Sequence, residues 1–207
     1  FIILASLDPQ WLVDYIKRFI FRSKVIINIE QDYQVQGQFL DDKDTIDSAL
    51  AITGDFNAGF ILDIPDKSCT RKLLLSRTQV ETNLQAIDQW HYLDMAIGWL
   101  WIDEKLQNLW TPQMLSLQDI NAYSLKKGCY PGQEIVARTH YLGKSKRNLR
   151  TITGQGLGSG QVLYQNANEI GKIANCNLAG DYAKAVLPVE LDMELPITNS
   201  QFTINII

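Results

Sequence analysis

The apolar positions change period twice along this chain, and the changes divide it into regions. Asp8-Pro9 reads as a helix start, with Asp as N-cap and Pro at the first helical position. Trp11, Leu12, Tyr15, Ile16 and Phe19 follow at helical spacing. Lys24 to Glu30 (KVIINIE) is rich in β-branched residues and predicts a strand, and Tyr33 to Leu40 alternates well enough to predict another. The acidic stretch Asp41 to Asp47 reads as a solvated connection. Ala49 to Thr53 and Phe60 to Ile64 predict short strands joined at Gly54-Asp55-Phe56-Asn57, and Leu73-Leu74-Leu75 is a third short apolar run. From Thr82 to about Ile102 the pattern is again helical, through Leu84, Ile87, Trp90 or His91, Asp94 and Ile97.

After Thr111-Pro112 a loop leads to the short apolar stretch Ala122 to Leu125. A helix from about Gln133 to Leu142 follows, with Gly143 where a C-cap glycine belongs. Beyond it no helical period survives. Leu149 to Thr153, Gln161 to Tyr164, Glu169 to Ala174, Tyr182 to Val189 and Phe202 to Ile207 are short β-rich runs separated by Gly, Asn and Pro, which predicts a small barrel-like β domain. The order is that of an α+β protein, with a core over 1–143 and a C-terminal β-barrel over 144–207. The glycines at 154, 156, 158 and 160 do not fit G-x-G-x-x-G and no helix follows them, so they read as a hairpin turn. The chain opens on Phe1-Ile2-Ile3-Leu4-Ala5, a strand-like run with no lead-in, and reads as a fragment whose N-terminal part lies upstream.

Composition narrows the class. The 207 residues are 46% hydrophobic and 20% charged, ordinary for a folded domain and unlike a disordered one. No run approaches a membrane span, and no signal peptide is recognisable. Three cysteines (Cys69, Cys129, Cys176) with no C-x-x-C spacing do not form a disulfide framework or a self-contained zinc or iron–sulfur site. A reducing, cytoplasmic compartment is expected. The net charge of −4 argues against nucleic-acid binding by the whole surface. Locally the balance reverses. Lys126 to Arg150 holds seven Lys/Arg against the single acid Glu134, about +6 where the rest of the chain carries −10. A solvated loop and strand edge accounts for this, and so does a patch for an anionic ligand: a polyglutamylated cofactor, a phosphate or RNA.

The chemistry concentrates in Lys126-Lys127-Gly128-Cys129-Tyr130-Pro131-Gly132-Gln133-Glu134. A thiolate is stabilised by nearby cations or a helix N-terminus, and Cys129 has both close in sequence. Gly132 allows close approach of a ligand or another segment. Glu134, in the first helical turn, is placed to favour the dipole, to accept from a substrate, or to pair with Arg138. The local pattern leaves open an inert residue in a tight turn, a nucleophile, a redox thiol and a ligand to a shared cluster. Neither His91 nor His140 is spaced as a base for Cys129, and no Ser-His-Asp triad can be composed. Cys69 and Cys176 fall in polar turns. The tryptophans at 11, 90, 99, 101 and 110 are explained by packing, although Trp90 or Trp99 would also give a planar heteroaromatic a face to stack on.

Lys-Lys-Gly-Cys-Tyr-Pro-Gly-Gln-Glu-Ile-Val-Ala-Arg resembles the signature of the YgfZ family of folate-binding proteins, relatives of the glycine-cleavage T-protein. Trp110 to Met114, Tyr141 to Lys144 and Phe21 to Val25 agree with it. The resemblance implies a T-protein-like folate-binding core with ferredoxin-like elements, closed by a small C-terminal barrel. It implies tetrahydrofolate or a one-carbon derivative as cofactor, with iron–sulfur client proteins and tRNA modification as the field of action. Carried over residue by residue, it makes Cys129 the reactive thiol with Lys127 and Glu134 beside it, and Trp90, Tyr130, Gly132 and Gln133 the folate contacts. No metal ligands are implied. One departure is in Met95-Ala96-Ile97-Gly98-Trp99-Leu100, where the family's acidic residue has become Ala96 and its proline Leu100. Three functions are thereby set against one another: a folate-dependent accessory factor, an aminomethyltransferase of the T-protein type, and a non-enzymatic tRNA-binding module using the basic patch. Against the second, T-proteins do not centre this loop on a cysteine.

Overall fold

Asp8 caps the first helix as the sequence predicts. In a computed structural model of the chain its carboxylate accepts from the Gln10 N–H at 3.0 Å, and Pro9 opens α1 (Pro9–Lys17). The structure describes residues 2–4, 7–40, 52–55, 57–64 and 71–207. The expected acidic connection at 41–47, part of the opening strand-like run and Cys69 lie outside the described residues. Two compact units divide the chain, residues 1–84 and 85–207.

In the first unit, Val13, outside the helical series Trp11, Leu12, Tyr15, Ile16 and Phe19, is the buried residue of α1. Trp11 stacks on Tyr15 and Phe19 meets Tyr15 edge-on, the ring centroids 5.3 Å apart in both pairs, and Trp11 is half exposed. The strand expected over Lys24 to Glu30 does not form, and Ile26 is 87% exposed. β-propensity measures fit to a half-buried pleated surface, and this run is paired with no described strand. Strands β1 (Gln34–Phe39), β2 (Ile52–Asp55), β3 (Gly59–Ile64) and β4 (Arg71–Ser76) make an antiparallel sheet in the order β1-β4-β3-β2. Leu75 is buried and lies opposite Val35 on one side and Phe60 on the other. The β2–β3 turn is held by the Asp55 carboxylate, which accepts from the N–H groups of Asn57 and Ala58 at 2.7 and 2.8 Å.

The second unit carries α2 (Leu84–Ala96) from its second residue on, a 3-10 turn at Glu104–Leu106, α3 (Gln133–Leu142) and the barrel. Helix α2 stops before the expected Ile102. Gly98 takes φ 87°, and the N–H groups of Gly98 and Trp99 fold back onto the Met95 and Asp94 carbonyls at 3.1 and 2.8 Å. Helix α3 has the expected bounds, but Gly143 after it is extended (φ −156°), not the left-handed cap.

Strands β5 (Arg147–Thr153), β6 (Val162–Gln165), β7 (Asn168–Cys176), β8 (Tyr182–Pro188), β9 (Ile197–Thr198) and β10 (Thr203–Ile206) close as β10-β5-β8-β7-β6-β9. Closure leaves no sheet edge unpaired. Ile152, Leu163, Ile173, Ala183, Ala185 and Leu187 fill the interior, all fully buried. Strand β9 is too short to show a period in sequence. The glycine-rich run is not a hairpin turn, because β5 and β6 are not neighbours. It crosses between them, donating from Gly154, Leu157 and Gly160 to the carbonyls of Asp181, Gly180 and Ile173. Cys176 ends β7 and packs against the barrel core, so it is not in the polar turn expected for it.

Helix α2 is fixed to the barrel at several points. Asp88 accepts from the N–H groups of Leu178 and Ala179, Tyr92 packs on Tyr182 with ring centroids 4.4 Å apart, and the backbone of Trp101 exchanges two hydrogen bonds with the Asn175 amide. Among the described residues no helix is long and apolar enough to cross a membrane.

Candidate functional site

The cysteine loop leads directly into α3. The Gln133 N–H donates to the Tyr130 carbonyl at 3.1 Å and closes a turn over Pro131-Gly132. Gly132 is the N-cap residue at φ 84°, ψ −1°, a left-handed conformation in which a Cβ is strained. Space is not the constraint there: a Cβ at Gly132 or at Gly128 would meet nothing within 4 Å. Both glycines flanking Cys129 therefore border open ground, and the thiol itself is exposed. No side chain caps α3, although the Gly132 carbonyl accepts from the N–H groups of Ile135 and Val136.

The charges around the thiol are arranged differently from their order in sequence. The Lys127 ammonium sits 4.6 Å from the centre of the Tyr130 ring, so part of its field goes to a cation–π contact within the loop. Glu134 is exposed in the first turn of α3, where a carboxylate favours the helix dipole, and no ion pair joins it to Arg138 among the described residues. Tyr130 is half-buried. Its hydroxyl oxygen is covered and has no hydrogen-bond partner among the described residues. Burial pushes the neighbouring Tyr123 phenol above its ordinary range, with Tyr130 and then Asp119 adding to the shift.

Beneath α3, Gln113 is buried, and its Nε2 donates to the Val136 carbonyl at 2.8 Å. That bond orients the amide and leaves Oε1 buried with no donor among the described residues. Gln113 lines a cleft of about 610 Å³ with Tyr123, Lys126, His140, Lys144 and Arg147. The basic residues noticed in sequence thus converge on a concavity between the approach to Cys129, the end of α3 and the start of the barrel. His140 lies in this cleft with its ring edge-on to Tyr141, and His91 packs 5.1 Å from the Trp101 ring.

Trp90 lies on α2 and is 8% exposed. Four residues further, Asp94 is buried at 1% exposed, its Oδ2 accepting from the Trp101 indole N–H at 2.8 Å. Helix α2 therefore keeps a buried carboxylate, two residues before Ala96. In the sequence Asp94 stands only as one member of a helical series. A carboxylate within an apolar stripe was the signal, since such a group is buried only with partners.

Of the other cysteines, Cys176 donates to the carbonyls of Leu157 and Asn177 at 3.3 and 3.2 Å. Burial, with Asp181 and Asp88 nearby, pushes its thiol up to about 11. It is a protonated, hydrogen-bonded core group, the opposite of Cys129. Among the described residues no group of three or more His, Cys, Asp or Glu is placed to hold a metal ion.

The chain is a mixed α+β protein with an exposed cysteine loop at the head of a helix and a closed six-stranded C-terminal barrel. No family model matches the chain. It is 39% identical over 87 residues to the tRNA-modifying protein YgfZ of Cronobacter sakazakii, covering 42% of this chain and 26% of that protein. To the tRNA-modifying protein YgfZ of Colwellia psychrerythraea it is 38% identical over 92 residues, 44% of this chain and 28% of that protein. An uncharacterized protein of Haemophilus influenzae is 34% identical over 188 residues, 89% of this chain and 59% of its own length. The chain is thus a distant homologue of the YgfZ tRNA-modifying proteins. The matches span about a quarter of the length of the curated YgfZ relatives.

Proposed function

We propose that this chain is part of a folate-binding accessory protein that supports tRNA modification and the iron–sulfur enzymes that carry it out, with Cys129 as its working thiol. One observation carries the reading: Cys129 is exposed between Gly128 and Gly132, both with open space, in a chain homologous to proteins named as tRNA-modifying. A thiol that must meet a client protein or a ligand needs such access, and Cys176 is half-buried and already donates to two carbonyls. Lys127, held over Tyr130, and Glu134, at the head of α3, frame the approach.

The loop suits tetrahydrofolate in two respects. The Tyr130 hydroxyl, covered and without a hydrogen-bond partner among the described residues, would meet a polar cofactor edge once its side chain turns outward, and Gly132 with Gln133 permits backbone approach. On α2, Trp90 is 8% exposed, so a pterin stacked on it requires that side chain to turn outward. Ala96 offers the pterin no carboxylate, and Asp94 is engaged with Trp101. These features weigh against the aminomethyltransferase reading, in which a carboxylate holds the pterin.

The test uses the full-length protein. Cys129→Ser should abolish support of an iron–sulfur tRNA-modifying enzyme in cells lacking the wild-type protein, while calorimetry shows tetrahydrofolate binding retained. Normal support by the variant overturns the reading. Folate-dependent ammonia release from an aminomethyl donor would favour the transferase.

A second reading, direct contact with tRNA, is favoured by the convergence of Lys126, Lys144 and Arg147 on one cleft. It is compatible with the first, since an accessory factor in tRNA modification has reason to touch the substrate of its clients.

A further inference from the structure

We infer that the cleft beneath α3 is a nucleotide pocket, taking one nucleotide of a single-stranded RNA segment with its phosphate on Lys126 and Lys144. The inference rests on the tRNA-contact reading above and deepens it by naming a site. Cys129 does not line this cleft.

Four observations converge. The cleft volume, about 610 Å³, falls in the range of roughly 300–1,000 Å³ typical of small-molecule sites. Lys126 and Lys144 are exposed with no ion pair among the described residues, and no acidic side chain lines the cleft. Arg147 is tethered through Nη1 to the Ile170 carbonyl, so its charge is held in place.

The amides separate a nucleotide from a plain anion. Gln113 contributes a buried Oε1 with no donor, and its orientation is fixed by the bond from Nε2 to Val136. Phosphate and carboxylate groups bring only acceptors, which cannot satisfy that oxygen. A ribose 2′-hydroxyl or an exocyclic base amine can. Asn121 adds a side chain of the type that reads base edges through paired donor and acceptor, and Gln118, whose Oε1 accepts from the Tyr123 hydroxyl at 3.2 Å, adds an amide donor. Tyr123 is half-buried in the wall and offers a π-face of the kind on which unstacked bases are held. Cations, oriented amides and an aromatic ring within one concavity form the set that single-strand recognition uses. A patch for a polyanion would need only the first.

The test is equilibrium binding of a fluorescently labelled single-stranded oligoribonucleotide to the full-length protein. Three competitors are titrated: inorganic polyphosphate, poly-glutamate and the DNA of the same sequence. The wild-type protein should bind the RNA more tightly than the DNA, and polyphosphate of equal charge should compete poorly. Lys126→Gln with Lys144→Gln should weaken RNA binding on the order of tenfold and lower the salt slope by about 0.7, the value for one single-strand phosphate contact. Gln118→Ala with Asn121→Ala, both exposed positions, should weaken RNA binding without changing polyphosphate binding, and circular dichroism confirms that each variant is folded. RNA binding left unchanged by both double variants overturns the pocket while keeping the tRNA-contact reading. Polyphosphate or poly-glutamate competing as well as RNA, with no effect of the amide variants, overturns it in favour of a polyanion patch. No RNA binding by the wild-type protein overturns both.

Discussion

The Gln113 side chain donates through Nε2 to the main-chain carbonyl of Val136 at 2.8 Å, pinning the first turn of α3 from a segment with no regular secondary structure. Gln113 and Val136 are both buried, so this bond sits where water cannot replace it. Gln113→Ala should therefore destabilise the protein by about 1–3 kcal/mol in urea unfolding, the range for losing a buried partner. Hydrogen exchange should show α3 opening more readily than the barrel strands. Equal loss of protection in both would mean that the bond does not act locally.

The two described cysteines should separate cleanly in reactivity. In a Cys69→Ser background, iodoacetamide at neutral pH should modify Cys129 in the folded protein much faster than Cys176, because Cys176 is half-buried and its thiol donates to two carbonyls. Mass spectrometry of the tryptic peptides reads the result.

Cys176 also has a pH signature of definite sign. Its thiol is raised from 9.0 to about 11 in the folded protein, so above pH 9 the unfolded chain loses this proton while the folded one keeps it. Its contribution to stability is complete below pH 9 and is lost as pH rises toward 11. Cys176→Ala should flatten the decline in urea stability across that interval; an unaltered slope would contradict the assignment.

The Lys127–Tyr130 contact is exposed on the lysine side, and Lys127→Met should cost less than about 1 kcal/mol of stability. The Tyr130 ring resonances should shift nonetheless, because the cation over the ring is gone. If the proposed function holds, Lys127→Arg should preserve support of client enzymes better than Lys127→Met.

In the barrel, Gly171 faces the partner strand so closely that a Cβ would lie 2.1 Å from the Val186 carbonyl oxygen and 2.9 Å from Leu187 Cδ2. Backbone cannot give way as a flexible side chain can. Gly171→Ala should lower the thermal midpoint of unfolding, with a cost of about 1–3 kcal/mol or more, whereas Gly158→Ala, with nothing within 4 Å, should leave it nearly unchanged.

How far the sequence could be read depended on how local each determinant was. Asp8-Pro9 predicts the start of α1, and Gln133 to Leu142 predicts α3, because caps and helical periods act within a turn or two. The alternating runs beyond residue 143 predict β5 to β8 and β10 for the same reason, each being long enough to show a period. The cysteine loop was legible as a motif, and the resemblance read from it agrees with the homology to the YgfZ proteins. Lys24 to Glu30 has the composition of a strand but is not one, since a strand exists only with a partner. The glycine-rich run looked like a hairpin because sequence cannot say which strands are neighbours, and closure placed β8 and β7 between β5 and β6.

Tertiary structure alone decided the rest. It separated an exposed Cys129 from a half-buried Cys176, turned the Lys127 ammonium toward Tyr130, and made Asp94 a buried partner of Trp101. It also gathered Gln113, Lys126 and Lys144 around one cleft. Residue types and short-range spacing set which groups the chain carries and where its helices start. Burial, hydrogen-bond partners and the field at each group come from segments distant in sequence, and only the folded chain brings those together.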